Sequence, residues 1–413
     1  MIHIRTSALS LTTLALLFSF RLGAQDFPGE APAVLLEYRQ RAGDVFHGES
    51  RVRESVYVNG LFSHEAVIDE SAVSVVRKVN DRGTAELDSS FRTGERIEAS
   101  PGYLEWNSSE KVHLLRDSRG RMEVPRDAVL PVIRNIPVFP GYPVSPGDCW
   151  SARAEEVHFF RIGGGTAGPY RGGIPVSYEY AGNLTVKGMK LAHIIIRYNI
   201  YLPVEDSEEP VRLITGRSEQ NLYWDTEKGE PVSKSEEFEF MVLMSRGVSQ
   251  EFRGHGDVDY RTAMELNRDE AVGSIRRSLN NSFGDSPGIS VDPVEEGILL
   301  SLEGGEELLF QPESALISED QHSRLEVLRT LLEKYPDRDV LITGHTAHSG
   351  TPEGRRRLSE ERAAAVASFL FPDGRPGPGK LYLRAAGSEE PAAPEFSEAG
   401  RAANRRVEIL ILD

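Results

Sequence analysis

Turn signals spaced along the first two-thirds of the chain constrain its fold more than any other feature. Asn59-Gly60 separates apolar-alternating runs at 55–58 and 61–68, and both residues of that pair tolerate positive φ. Asp81-Arg82-Gly83 separates 73–79 from 84–91, and Asp117-Ser118-Arg119-Gly120 separates 112–115 from 121–124. Longer runs at 191–202, 211–224 and 232–244 follow, the last two joined by Asp225-Thr226-Glu227-Lys228-Gly229. Hairpins at this spacing predict an antiparallel meander curled around a core over roughly 26–260. Pro131, Pro137, Pro140, Pro143 and Pro146 make 131–146 an extended connection that can divide the region in two. The glycine-rich stretch at 163–168 has no Gly-Lys-Ser/Thr after it and reads as a hairpin tip, not a phosphate loop.

The chain has 413 residues, more than one ordinary core accommodates, which points to two or three domains. At 39% hydrophobic and 27% charged it has a globular composition. His3 and Arg5, an apolar run over 8–20 and small residues at Gly23-Ala24 read as a secretory leader, with cleavage expected after Ala24 and an uncleaved anchor as the alternative. Loss of Arg5 and Arg21 takes the formal charge from −17 to about −19. Such an acidic body repels nucleic acid and anionic headgroups. No later stretch is long and apolar enough for a transmembrane helix. The lone Cys149 has no partner for a disulfide and reads as a packed core residue.

Beyond residue 266 the periodicity changes. Asn267 and Glu270 form a capping box for a short helix with Ala271, Val272, Ile275 and Leu279 on one face, ending at Asn280-Asn281. A linker is expected over 281–288, then strands at 298–302 and 306–310. Ser318 and Gln321 predict a second capping box, for a helix that buries Leu325, Leu328, Leu331 and Leu332. A strand at 340–343 is followed by a helix over 352–371 with Leu358, Ala365, Val366 and Phe369 inward. Strands at 381–385 and 407–412 complete a small mixed sheet. The expected organisation is α+β and multidomain: leader 1–24, β-rich subdomains 25–135 and 136–266 or one continuous sheet, a short helix and linker 267–292, and an α/β domain 293–413.

Three motifs stand in order in that last domain: Gly344-His345-Thr346, Leu358-Ser359-Glu360-Glu361-Arg362-Ala363 and Asn404-Arg405-Arg406. Together they resemble the OmpA-like domain, the peptidoglycan-binding module of envelope proteins, over about 296–413. The resemblance implies a βαβαβ core with helices on one face of the sheet. It also implies a ligand, the diaminopimelate of the peptidoglycan stem peptide, whose ammonium and carboxylate share one carbon. Such a zwitterion needs an anion and a bidentate donor a few ångströms apart.

Carried over by resemblance, the site residues are Thr346, Arg362, Arg405 and Ala347. The family pattern has Asp at the position of Ala347 and Asn at that of Arg355. Arg362 keeps the carboxylate-binding half, and Ala347 removes the ammonium-binding half, with Glu353, Glu360 or Glu361 as replacements. A helix-surface ion pair with Glu361 is the plain alternative for Arg362, and Asn404 and Arg406 read as holding the last turn and strand. His345 and His348 lack a third metal ligand nearby. No nucleophile–base or paired-carboxylate spacing marks an enzyme, and no cofactor is expected. The functional expectation is a periplasmic or outer-membrane-peripheral protein that holds peptidoglycan weakly. The alternatives are an envelope scaffold for a protein partner, with Arg355, Arg356 and Arg357 drawing an anionic one, or a β-domain carrier of an apolar ligand.

Overall fold

The computed structural model describes residues 33–413 except 97–103, 163–164, 187, 207, 264, 285–287, 303–308, 312, 375–376 and 378. The leader expected over 1–24 lies outside them. The chain forms two compact units: one holds the β-rich residues up to 98 and 107–265, the other residues 99–106 and 266–413.

In the first unit β1 (Val45–Val58) and β2 (Leu61–Val79) are joined by Asn59-Gly60, with φ of 52° and 76°, as a two-residue hairpin requires. The runs 61–68 and 73–79 are therefore one strand. β3 (Ala85–Arg96) continues the meander, followed by β4 (Leu104–Arg116), β5 (Met122–Glu123) and β6 (Ile133–Arg134). Six long strands come next: β7 (Cys149–Ile162), β8 (Gly165–Val186), β9 (Met189–Pro203), β10 (Val211–Asp225), β11 (Glu230–Met244) and β12 (Ser249–Ala263). Pairing gives the antiparallel order β3-β2-β1-β12-β11-β10-β9-β8-β7-β6. The closing β1–β12 pairing runs from Val45↔Ala263 to Val58↔Gln250.

Alternation decides the faces. On β9, Ile194, Ile196, Tyr198 and Ile200 are buried while Arg197, Asn199 and Tyr201 face out. Arg197 bridges Glu219 and Glu179 across the outer face. The core takes in Val52 and Ile68 from one side of the proline-rich stretch and Tyr178, Trp224 and Phe238 from the other. That stretch is extended as expected, but it also crosses the core. Phe139 is fully buried, its ring 4.7 Å from that of Trp224. β7 and β8 meet at Ile162↔Gly165, so the glycine-rich segment is a hairpin tip. Cys149 is exposed, contrary to expectation: it starts β7 on the outer face, and its neighbour Trp150 packs inward on Tyr178.

The second unit begins with α1 (Arg268–Phe283), whose N-cap Asn267 accepts the Glu270 N–H and returns a bond to the Glu270 carboxylate. The helix runs past Asn280-Asn281 to Gly284. β13 (Ile289–Val294), unforeseen in the sequence, pairs with β14 (Gly297–Leu302). Thus residues 267–292 hold a helix and a strand of this unit's sheet. The extended piece expected at 306–310 falls largely outside the described residues, and Phe310 makes an isolated bridge to Ile317. Ser318 does not cap with its side chain; a 3₁₀ turn over Glu319–Gln321 leads into α2 (His322–Leu332). Buried Gln321 bonds Asp320 and Arg324 instead.

The remaining elements are β15 (Val340–His345), α3 (Pro352–Leu370), β16 (Leu381–Gly387), α4 (Glu398–Asn404) and β17 (Val407–Leu412). The sheet order is β13-β14-β17-β15-β16, with β15 and β16 parallel. Leu104 and Glu105, the start of β4, add a parallel strand beside β16. Val340, Ile342, Leu383, Ile409 and Ile411 pack under α1, α2 and α3. Full burial of each such side chain contributes about 1.5–3 kcal/mol. The alternate residues Leu341, Tyr382 and Leu412 pack with Leu104 and Trp106. On α3 the buried stripe is Ser359, Arg362, Ala363, Val366, Ala367 and Leu370. Leu358, Ala365 and Phe369 only flank it, because the close approach of Ser359 to Gly344 sets which face of the helix lies on β15. Among the described residues no helix is long and apolar enough to cross a membrane.

Candidate functional site

The three motifs converge at the C-terminal end of β15. The approach of α3 to that end requires Gly344, since a Cβ there would lie 2.0 Å from the Ser359 carbonyl oxygen. Ser359, fully buried, donates to Arg356 O (2.7 Å) and accepts the Gly387 N–H (3.0 Å). The Thr346 N–H in turn donates to Gly387 O (2.7 Å), and the His345 N–H to Arg406 O (3.0 Å). Backbone contacts thus fix the turn after β15 from both flanking strands.

Within this frame Ala347 is buried at 8% exposure, and its carbonyl accepts the Ser349 N–H. Thr346 is buried too, and its hydroxyl has no hydrogen-bond partner among the described residues. Arg362 is 4% exposed. Its Nε donates to Ser314 O at 3.0 Å, and its guanidinium lies 5.0 Å from the Phe310 ring centroid. It makes no ion pair among the described residues. Burial, with the nearby charge of Arg405, draws it down to about 10. The surface pair with Glu361 is not formed: Arg357 lies 3.7 Å from Glu361, on the exposed side of α3.

Arg405 is held by Glu398, which also bonds Arg401, and those bonds lower the Glu398 carboxyl. Arg406 donates to Glu408 (2.7 Å) and Glu390 O (3.2 Å). His345 is 3.1 Å from Glu408. Burial pushes the Glu408 carboxyl up, but His345 and Arg406 outweigh it and hold it at about 2. His348 is exposed beside Ser388, so the two histidines have separate partners. The basic start of α3 is engaged as well. Arg355 donates to Gly350 O, and Arg356 reaches Glu105 at 3.5 Å.

One carboxylate at the turn was not evident from the sequence. Glu395, in the loop before α4, accepts the His348 N–H (3.2 Å) and an Asn404 amide hydrogen (2.5 Å). Asn404, 1% exposed, also clamps Ala393 through both its N–H and its carbonyl. Glu395 therefore lies one residue beyond Ala347, with one oxygen free of hydrogen bonds among the described residues. Glu353, Glu360 and Glu361 are all exposed on α3. No spacing rule announces Glu395, because it stands in the loop before α4 and is held by Asn404 at the far end of that helix.

The sequence model of the OmpA family matches residues 309–405. Outer membrane porin F of Pseudomonas fluorescens is 31% identical over 99 residues, 24% of this chain and 30% of the porin. The chain thus spans less than a third of that relative. The peptidoglycan-associated lipoprotein of Brucella melitensis is 29% identical over 139 residues, covering 32% of this chain and 78% of the lipoprotein. Outer-membrane lipoprotein YfiB of Pseudomonas aeruginosa is 32% identical over 123 residues, 28% of this chain and 72% of the relative. All of these matches cover a third of the chain or less. Through this C-terminal unit, the chain belongs to the OmpA family.

Proposed function

We propose that this protein is an exported, non-enzymatic envelope protein whose C-terminal domain holds peptidoglycan by the zwitterionic end of its diaminopimelate. The observation that carries the reading is Arg362, a buried guanidinium without a carboxylate partner among the described residues. A desolvated cation left unpaired in a folded protein is unfavourable unless a ligand completes it. The Thr346 hydroxyl is a second buried group awaiting a partner. In this reading Arg362 takes the ligand carboxylate, Arg405 reinforces the positive field, and Glu395 stands in for the acid missing at Ala347.

A carboxylate on a loop is less preorganised than one on the turn itself, so binding is expected to be weaker than with Asp at 347. Co-sedimentation of the full chain with purified peptidoglycan tests the reading. Wild type is expected to pellet, Glu395→Gln to pellet less, and Ala347→Asp in the Glu395→Gln background to recover binding. Wild type remaining in the supernatant while Ala347→Asp pellets would mean that binding has been lost from this chain.

A further inference from the structure

The β-rich unit has a partly open cavity of about 320 Å³ between its strands, within the range of small-molecule sites. Its walls come from β1 to β3, β4 at Leu114 and Arg116, β9 to β12, and the 130–137 stretch. Phe46, Leu87, Phe91, Leu114, Ile196 and Leu222 make most of the surface apolar. At about 30 Å³ per water-sized group, there is room for an apolar body of roughly ten heavy atoms.

The charged part of the wall runs against the charge of the chain. The whole sequence carries −17, yet the cavity is lined by Arg92, Arg116, Lys234 and Arg261, with Glu70 as its one carboxylate. Lys234 is neutralised by Glu236 at 2.9 Å, and Arg261 faces Glu49 at 3.7 Å. Arg116 is different. Its Nε donates to the Gln40 amide oxygen at 2.8 Å, and its guanidinium lies 4.3 Å from the Tyr38 ring centroid and 5.7 Å from that of Phe46. Among the described residues no carboxylate pairs with it. Aromatic faces orient a guanidinium without neutralising it, which leaves an anion site beside an apolar wall. Burial pushes Glu70 up to about 7, so it opposes with about half a charge at neutrality.

We propose that this cavity binds an amphipathic anion, an alkyl chain of medium length whose carboxylate or phosphate head is met by Arg116. The site is independent of the C-terminal domain and of its reading as a peptidoglycan binder. Isothermal titration of the full chain, below micellar concentrations, is the test, with dodecanoate, dodecyl phosphate, dodecanol, dodecyltrimethylammonium, acetate and inorganic phosphate as probes.

One dodecanoate or dodecyl phosphate per chain is expected, at least tenfold tighter than dodecanol, and the stronger of the two identifies the head. The ammonium compound, acetate and inorganic phosphate should give no saturable binding. Arg116→Met should erase the preference over dodecanol, and Arg116→Lys should keep most of it. Ala72→Phe, filling the cavity from β2, should abolish binding of every chain. The headgroup ranking on wild type tests the proposal even if a variant fails to fold. Absence of dodecanoate and dodecyl phosphate binding, equal binding of the ammonium compound, or an unchanged preference in a folded Arg116→Met protein would overturn it.

Discussion

Replacing Arg362 by Met should make the protein more stable and worse at holding peptidoglycan. An arginine drawn down from its ordinary value to about 10 sits where its charge is disfavoured by roughly 3 kcal/mol. The bond to Ser314 O and the Phe310 face return about 1–2 kcal/mol of that. Methionine keeps most of the apolar stem within the Ser359–Ala363–Val366 stripe and carries no charge into it. The expected net gain is about 1–2 kcal/mol, a rise of a few degrees in the unfolding temperature of the C-terminal unit. Removing the donor from a desolvated ligand pair has the opposite effect on binding, about 2–5 kcal/mol, or tens- to thousands-fold in affinity. Calorimetry and peptidoglycan co-sedimentation on the same preparations read both quantities. A lower Tm with unchanged co-sedimentation would make Arg362 a structural residue and refute the reasoning.

Other perturbations follow from the same geometry. Glu408, 19% exposed, has a folded value of about 2, below its ordinary 4.5. Its contribution is therefore present above about pH 4.5 and lost as pH falls through about 2; Glu408→Gln should remove up to roughly 3 kcal/mol at pH 7 and flatten the acid limb of a urea-midpoint profile. Glu70 behaves oppositely: raised to about 7 by burial, with Glu236 and Asp69 adding to it against Lys234, it costs stability as pH rises from about 4.5 to 7. Glu70→Gln should make the unfolding midpoint of the β-rich unit flatter over that interval. Asn404→Ala removes both bonds to Ala393 and the bond to Glu395, so a loss of about 2–4 kcal/mol is expected. Faster hydrogen exchange at the Ala393 and His348 amides would locate that loss; unchanged exchange would mean that the loop holds without the clamp.

The sequence made some elements legible because local chemistry decides them. The Asn59-Gly60 pair needs positive φ wherever it stands, and Asn267 with Glu270 closes a capping box without outside help. The Ser318–Gln321 pattern looks the same in sequence but fails as a cap. There Gln321 is drawn into burial, where it bonds Asp320 and Arg324, and a 3₁₀ turn starts the helix. The facing of α3 departs from the expected Leu358, Ala365, Val366 and Phe369 for a related reason: Gly344 and Ser359 bring the helix against β15 on the face of Ser359, Ala363 and Val366, so of the four only Val366 is buried.

By itself the sequence determined the alternating strands, the change to helical periodicity after residue 266 and the three motifs that mark the C-terminal domain. It also fixed the presence of Arg362 and the absence of an acid at 347. Tertiary structure decided the environments of those residues. It buried Arg362 with no carboxylate beside it among the described residues, brought Glu395 to the turn through Asn404, and set Arg116 in an apolar cavity against Gln40 and Tyr38, with no carboxylate partner among the described residues. Periodicity and capping are local in the chain and can be read from it. Burial and pairing depend on groups far apart in sequence, and folding alone brings those together.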